Sequence, residues 1–275
     1  MLTGITTTLN GNRAHNMAIP IHQLLFDGRA PQVNRRCLSS WLELGPTFEI
    51  REWGNEDIRN FIGKAHPLVR ELLTKARNFG EASDILRIAI VHEFGGLYTD
   101  WDIYLLNAPQ FAERFSPFGE NGGLFLRDSR TSAAGFSAVI THSFFYSEPR
   151  TQLLRSFLER ISDNYKNHPH ETTVHLTGPH AFTRFLLDAG WNLDAPQFVE
   201  QDQFFRHGFD IAAEHSDKAR FLDNAIKNPG AAPLLNLWTN CWIEPSIKQT
   251  LKRLPIPAGW IPDPFTASMK HILSK

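Results

Sequence analysis

Cysteine is scarce: Cys37 and Cys241 are the only two among 275 residues. A chain this long needs no covalent staples, and so few thiols fit a reducing compartment with both side chains buried and free. An excess of one charge is missing as well. Lys and Arg total 28 against 29 Asp and Glu, without a Lys/Arg block, so the electrostatic footprint of a nucleic-acid-binding protein is absent. The most apolar stretch, Ile85 to Phe94, is interrupted by Arg87, His92 and Glu93, and no run approaches the roughly 18 apolar residues of a membrane-spanning helix. The opening MLTGITTTLNGNRAHN has no basic segment followed by an apolar one, so a secretory signal is not expected. These absences favour a cytoplasmic protein, peripheral at a membrane surface at most. Serine nucleophile elbows and phosphate-binding P-loops are also lacking.

What is present is a large apolar inventory. Hydrophobic residues make up 42% of the chain and include 21 Phe and 7 Trp, which excludes a disordered polymer and calls for an extensive core. Residues 1 to 17 are polar and expected to fray. From Ala18 to Phe26 the sequence reads as a buried strand closed by Asp27-Gly28. Residues 32 to 44 read as a helix, Thr47 to Trp53 as a second strand, and Asn55 or Glu56 to Ile62 as a second helix. That alternation is the start of an α/β sheet flanked by helices. LVRELLTKARNF, after Pro67, is an amphipathic helix expected to break at Gly80. The next helix, Glu81 to Phe94, is apolar nearly all round and therefore buried, and Gly95-Gly96 should close it.

Leu97 to Leu106 reads as a central strand. Further on, Gly122 to Leu126 and Ser137 to Ile140 read as strands, and Thr151 to Tyr165 and Pro179 to Ala189 as helices. The proline-rich C-terminal part reads as a loop-rich tail on a single domain spanning 18 to 275.

The central strand carries Tyr98-Thr99-Asp100-Trp101-Asp102. Alternation along a strand would put Asp100 and Asp102 on one face, with Thr99 and Trp101 on the other. Paired carboxylates repel in an apolar sheet unless a cation neutralises them, and Mg²⁺ or Mn²⁺ prefer oxygen ligands and keep positions open for substrate phosphates. The tripeptide alone suits a solvated strand end or turn better than a ligand site. Its place after a buried helix and a Gly-Gly turn, at the carboxyl end of a sheet strand, favours a ligand site. Asp84 and Arg87 lie one turn apart on the buried helix, where they can pair with each other or face a ligand. The histidines 168, 170, 175 and 180 match no zinc spacing, and His92-Glu93 lacks a second zinc-binding His. Glu200 and Asp202, before Phe204-Phe205, are acids that could face an acceptor.

The stretch EASDILRIAIVHEFGGLYTDWDIYLL, Glu81 to Leu106, resembles the signature of the DXD-containing sugar-binding region of glycosyltransferase family 32, shared by α-1,4-galactosyltransferases and clostridial glucosylating toxins. Ile19 to Gln23 resembles the family's opening strand, Ser40 to Trp53 its second βα unit, and Thr177 to Thr183 its downstream Thr-Gly-Pro segment. The resemblance implies a GT-A fold, a Rossmann-like sheet holding a nucleotide-sugar against a divalent metal, Mn²⁺ or Mg²⁺. It implies that Asp102 binds the metal directly and Asp100 reaches it through water. Ser83, Asp84, Arg87 and Tyr98 would hold the donor sugar, with Ile21, His22 and Gln23 beside the base. Many relatives carry Trp where Leu25 stands, which leaves base stacking either weaker or to Phe26. LLNLWTNCW, Leu234 to Trp242, resembles a His-x-Trp-x-x-Ser-Trp closing segment, with Asn236 in the His position and Cys241 in the Ser position. Asn236 would then be a metal or phosphate contact and Trp238 a donor contact, although two tryptophans packing the tail onto the core would look the same.

The implied activity is transfer of a sugar, with retention, from a nucleotide-sugar, a UDP-sugar by resemblance, to a hydroxyl on a glycan, lipid-linked or protein acceptor. Asp100, Asp102 and Arg87 would carry it, stabilising the departing diphosphate together with the metal. Polysaccharide biosynthesis is the expected setting. A metal-dependent nucleotide-sugar hydrolase and an inactive nucleotide- or sugar-binding module are the alternatives.

Overall fold

The computed structural model describes residues 18–26, 31–121, 123–129, 136–207 and 215–239. In chain order the elements are β1 (Ile19–Leu24), α1 (Gln32–Ser40), β2 (Phe48–Trp53), α2 (Asn55–Lys64), α3 (Pro67–Lys75), α4 (Phe79–Phe94), β3 (Gly96–Thr99) and β4 (Ile103–Leu105). They continue with α5 (Ala108–Asn121), β5 (Gly123–Asp128), β6 (Val139–Ser147), α6 (Gln152–Asn167), α7 (Thr173–Leu176), α8 (Pro179–Asp188), β7 (Phe198–Glu200), α9 (Lys218–Lys227) and β8 (Leu234–Asn236). A 3-10 segment, Trp41–Thr47, replaces the last turn of the helix expected to reach residue 44, with Pro46 inside it.

Six strands form one sheet in the order β2-β1-β3-β6-β5-β7. β6 is antiparallel to both its neighbours, while the β1–β2, β1–β3 and β5–β7 pairs are parallel. Five strands therefore run one way and β6 the other, a mostly parallel α/β sheet as expected. Strand alternation divides the core between its faces. Leu24, Tyr98, Phe125, Ile140 and Phe145 pack with residues of α2, α3, α4, α6 and α8. Ile21, Leu97, Leu124, Phe144 and Tyr146 pack with Trp41, Phe111, Phe115 and Phe204.

Helix α4 runs through the first of these layers, and from Gly80 to Val91 every residue except Ser83 is buried. It begins at Phe79, not after Gly80, because the Asn78 side chain accepts from Glu81 N at 3.0 Å and caps it. The break from α3 therefore falls at residues 76–78. Its end is as expected. Gly95 and Gly96 have φ of 64° and 103°, and a Cβ at Gly96 would lie 2.4 Å from the Pro20 carbonyl oxygen. Only glycine lets β3 start this close to β1.

The strand expected from Leu97 to Leu106 is two strands. β3 stops at Thr99, Ile103 N donates to Asp100 O at 3.2 Å to close a turn, and β4 pairs antiparallel with β8 in a separate two-stranded sheet. The physical reason is a partner remote in sequence: β8 pulls residues 103–105 out of the main sheet. β6 runs on to Ser147, well past the expected Ile140. β8 also stands where only loop was expected. Residues 1–17, Cys241, Trp242 and the rest of the tail after 239 lie outside the described residues, so the expectations for them do as well. Cys37 is fully buried. No described helix is long and apolar enough to cross a membrane.

Candidate active site

A cavity of about 510 Å³ opens at the carboxyl ends of β1 and β3. Ser83, Asp84 and Arg87 of α4, Tyr98, Asp100, Trp101 and Asp102 around the β3–β4 turn, and Asn236 and Trp238 after β8 all line it. Every donor-site and metal candidate from Ser83 onward thus reaches one space. Leu24, Phe26, Phe79, Val174 and Pro179 form its apolar side, with Phe26 and Phe79 in ring contact at 5.3 Å.

The turn, not strand alternation, brings the two acids together. Asp100 N donates to Ser143 O and so stays tied to the main sheet, whereas Asp102 O accepts from Leu237 N beside the small one. Trp101, expected to point away, lies at the cavity wall and packs on Leu25 and Leu38.

Arg87 is the hub. Its Nη2 lies 3.2 Å from Asp100 Oδ1 and 3.5 Å from Asp84 Oδ1, and donates to Ser83 Oγ at 2.8 Å. Its Nη1 donates to the His142 carbonyl oxygen at 3.1 Å, and the guanidinium sits 4.8 Å from the Tyr98 ring centre. Tyr98 Oη donates to Asp100 Oδ1 at 2.7 Å, and Thr177 Oγ1 to Asp84 Oδ2 at 2.8 Å. Asp102 Oδ2 accepts from Thr239 N at 2.8 Å and from Thr239 Oγ1 at 3.0 Å.

The electrostatics follow from burial. Desolvation raises Asp84 to about 6 even though Arg87 and Thr177 pull it down. Asp100 is raised by the same desolvation, against Arg87 and Tyr98. Burial and then Asp100 push Asp102 to about 6, against the Thr239 hydrogen bonds. For Arg87, burial lowers the pKa, but Asp100, Tyr98 and Asp84 more than reverse it. Three carboxylates with weakened acidity share one guanidinium, which is the charge imbalance that a cation relieves.

Three base-side candidates lie elsewhere. Ile21 is in the core, and neither His22 nor Gln23 lines the cavity. His22 donates from Nε2 to Gly95 O at 2.8 Å and accepts at Nδ1 from Trp53 Nε1 at 3.1 Å. Burial lowers its pKa to about 4, so it is a neutral strut between β1, β2 and the end of α4. Gln23 is fully buried with no partner for its side-chain amide among the described residues. Asn236 lines the wall, but its Oδ1 accepts from Trp238 N at 2.8 Å and so shapes the turn that gives Trp238 a φ of 49°.

Other candidates resolve as structure. Glu200 is bonded to Arg127 Nε at 2.6 Å and to Ser129 Oγ at 2.9 Å, while Asp202 is exposed. Thr172, His175 and His180 form a hydrogen-bonded chain. Among the described residues no three His, Cys, Asp or Glu side chains are placed to hold a metal. His142 and Thr239 were not apparent from the sequence, because remote strands bring them to the cavity.

A mostly parallel α/β sheet thus carries a D-x-D turn at the end of its third strand, backed by an Asp and an Arg on a buried helix. Residues 31–117 match the family described as the glycosyltransferase sugar-binding region containing the DXD motif. Inositol phosphoceramide mannosyltransferase 3 of Schizosaccharomyces pombe is 29% identical over 174 residues, 59% of this chain and 43% of its own. An uncharacterized glycosyltransferase of Acanthamoeba polyphaga mimivirus, L373, is 31% identical over 86 residues, covering 30% of this chain and 34% of its own. The chain thus matches less than half the length of these curated relatives. Among solved structures, the PaToxG glycosyltransferase aligns with a TM-score of 0.49 at 13% identity, over 94% of this chain and 85% of that one.

Proposed function

We propose that the protein is a metal-dependent glycosyltransferase that moves a sugar from a UDP-sugar to a hydroxyl acceptor, with retention of configuration. The observation that carries this reading is the charge of the cavity. Among the described residues lining the cavity, Asp84, Asp100 and Asp102 are set against a single guanidinium, that of Arg87, so full ionisation leaves an excess of negative charge that a divalent cation with a bound diphosphate would complement. The donor set suits a hard ion, since it is carboxylate oxygen. Asp102 would hold the ion through Oδ1, its Oδ2 being used by Thr239, and Asp100 would support it through water. With no ready-made cage among the described residues, phosphate oxygens and water would complete the shell, as is usual for Mg²⁺ and Mn²⁺. When bound, such an ion supplies charge neutralisation for the leaving diphosphate.

The chain's own residues do the rest. Asp84 and Arg87, fixed by Ser83 and Thr177, orient the sugar by hydrogen bonds. Tyr98 holds Asp100 in place. The apolar side, Phe26, Phe79 and Trp101, offers faces for the base or for the acceptor's carbon skeleton and keeps water off the reacting centre. In this reading Asn236 shapes the wall and leaves the metal to the two acids. Retention rests on the family resemblance.

The test is mass spectrometry of products after incubation with Mn²⁺, a panel of nucleotide-sugars and candidate acceptors. The panel includes an activated mannose and an inositol phospholipid, because the fission-yeast relative is named for that chemistry. A sugar-transfer product that disappears in Asp100→Asn and Asp102→Asn is expected. Release of free sugar alone would make the protein a hydrolase, and metal-dependent nucleotide binding without turnover would make it a binding module.

A further inference from the structure

β6 departs from the β5 ladder at one place. Phe125 pairs with Phe145, yet the next residue, Leu126, pairs with Thr141, so His142, Ser143 and Phe144 bulge out of that register. On its other edge the strand stays joined to β3, with Phe144 opposite Thr99 and Ser143 O accepting from Asp100 N at 2.9 Å. Bulges re-aim side chains, often beside active sites. This one delivers His142 into the charged cluster. The ring is buried, lines the cavity, and places Nδ1 3.4 Å from Arg87 Nη1 and 3.7 Å from Asp84 Oδ1.

A guanidinium can only donate, and Arg87 is the nearer neighbour, so Nδ1 accepts and the ring proton belongs on Nε2. Burial, and then Arg87, depress the His142 pKa to about 3, so the ring carries a single proton at neutral pH. Nε2 is buried and makes no hydrogen bond of normal geometry to any described residue, although the backbone of Gly178 and of His142 itself also acts on the ring. A buried N–H without an acceptor costs free energy until something accepts from it. The surroundings say what would. Asp84, 3.7 Å from the ring's Nδ1, disfavours an anionic phosphate at this ring, whereas a hydroxyl can accept from Nε2 and donate to a carboxylate at once.

We propose that His142 is a specificity residue, donating a hydrogen bond from Nε2 to a hydroxyl oxygen of the donor's sugar beside the Asp84–Arg87 pair. This rests on the reading of the cavity as a nucleotide-sugar site and adds to it the group that reads the sugar. A nucleoside diphosphate lacks that hydroxyl, so the contact adds only to the affinity gained when the sugar is attached.

The experiment is calorimetric titration, with Mn²⁺ present, of wild type, His142→Asn and His142→Gln. The ligands are UDP, GDP and the corresponding nucleotide-hexoses. Asn offers its amide near the Nδ1 position and keeps the Arg87 contact; Gln reaches the Nε2 position with an amide donor. The expected result is nucleotide affinity unchanged within about twofold in both variants, with the sugar's added affinity reduced about 5- to 10-fold in His142→Asn and held within about twofold in His142→Gln. If the wild type binds a nucleotide but gains nothing from its sugar, the inference falls alone. The same holds if His142→Asn keeps the gain or His142→Gln loses as much as His142→Asn. If neither nucleotide binds the wild type with metal, the reading of the cavity falls and this inference with it.

Discussion

Replacing Asp102 by Asn should stabilise the metal-free protein while abolishing its response to metal. Burial and the neighbouring Asp100 carry this carboxyl from its ordinary 3.8 to about 6. At pH 7.5 the ionised form therefore costs about 3 kcal/mol of folding free energy, with the opposing Thr239 hydrogen bonds already included. The native state holds this proton more tightly than the unfolded chain does. Its contribution to stability thus declines as pH rises from about 4 to about 6 and stays at its lowest above that window. Asn keeps an amide oxygen for the Thr239 N–H and hydroxyl but carries no charge. The variant should unfold about 5 to 10 °C higher than wild type at pH 7.5, an advantage that shrinks as pH is lowered toward 4. Mn²⁺ with UDP should raise the melting temperature of wild type and leave the variant unmoved, since only a ligand bound to the native state shifts the equilibrium. Thermal unfolding at several pH values, with and without Mn²⁺ and UDP, measures all of this. A variant less stable than wild type at pH 7.5, or one still stabilised by the metal, would refute the argument.

Two further substitutions probe the supports of the site. Thr177→Val removes the hydroxyl that donates to Asp84 Oδ2 at 2.8 Å, leaving a buried carboxylate with one donor fewer. A loss of about 1–3 kcal/mol in denaturant unfolding at pH 7.5, smaller at pH 5 where Asp84 takes up a proton, is expected. Gly96→Ala forces a Cβ to within 2.4 Å of the Pro20 carbonyl oxygen at a φ of 103°; about 3 kcal/mol or more should be lost, seen as reduced soluble yield and a lower melting temperature, whereas wild-type behaviour would show that β1 and β3 can separate cheaply.

Local chemistry made part of this molecule legible in its residues. The all-round apolar character of Ile85 to Val91 marked a buried helix, and the two glycines after it marked the tight entry into β3. The D-x-D segment with Asp84 and Arg87 pointed to one site, and all four line one cavity. Where the reading failed, the deciding partner was remote. Alternation would have continued through Asp100 had β8, more than a hundred residues away, not drawn Ile103 to Leu105 into a second sheet. His142 gave no local sign, because its bulge exists only through unequal pairing of β6 with its two neighbours. His22 and Gln23 matched a family strand, yet their contacts lie inside the protein. The start of α4 was placed two residues late, because the Asn78 cap on Glu81 N outweighs the nearby Gly80.

The β3–β4 turn gives the two acids different allegiances. Asp100 is anchored to the six-stranded sheet through Ser143, and Asp102 to the two-stranded one through Leu237 and Thr239. The site therefore straddles a seam, and the gap between its carboxylates is set by how the small sheet is seated on the large one. Packing residues such as Cys37, Leu222 and Leu235, which fill the space beneath the small sheet, become tuning screws for that gap. On the proposed reading, substitutions among them would change how tightly an ion is held while the acids themselves stay the same.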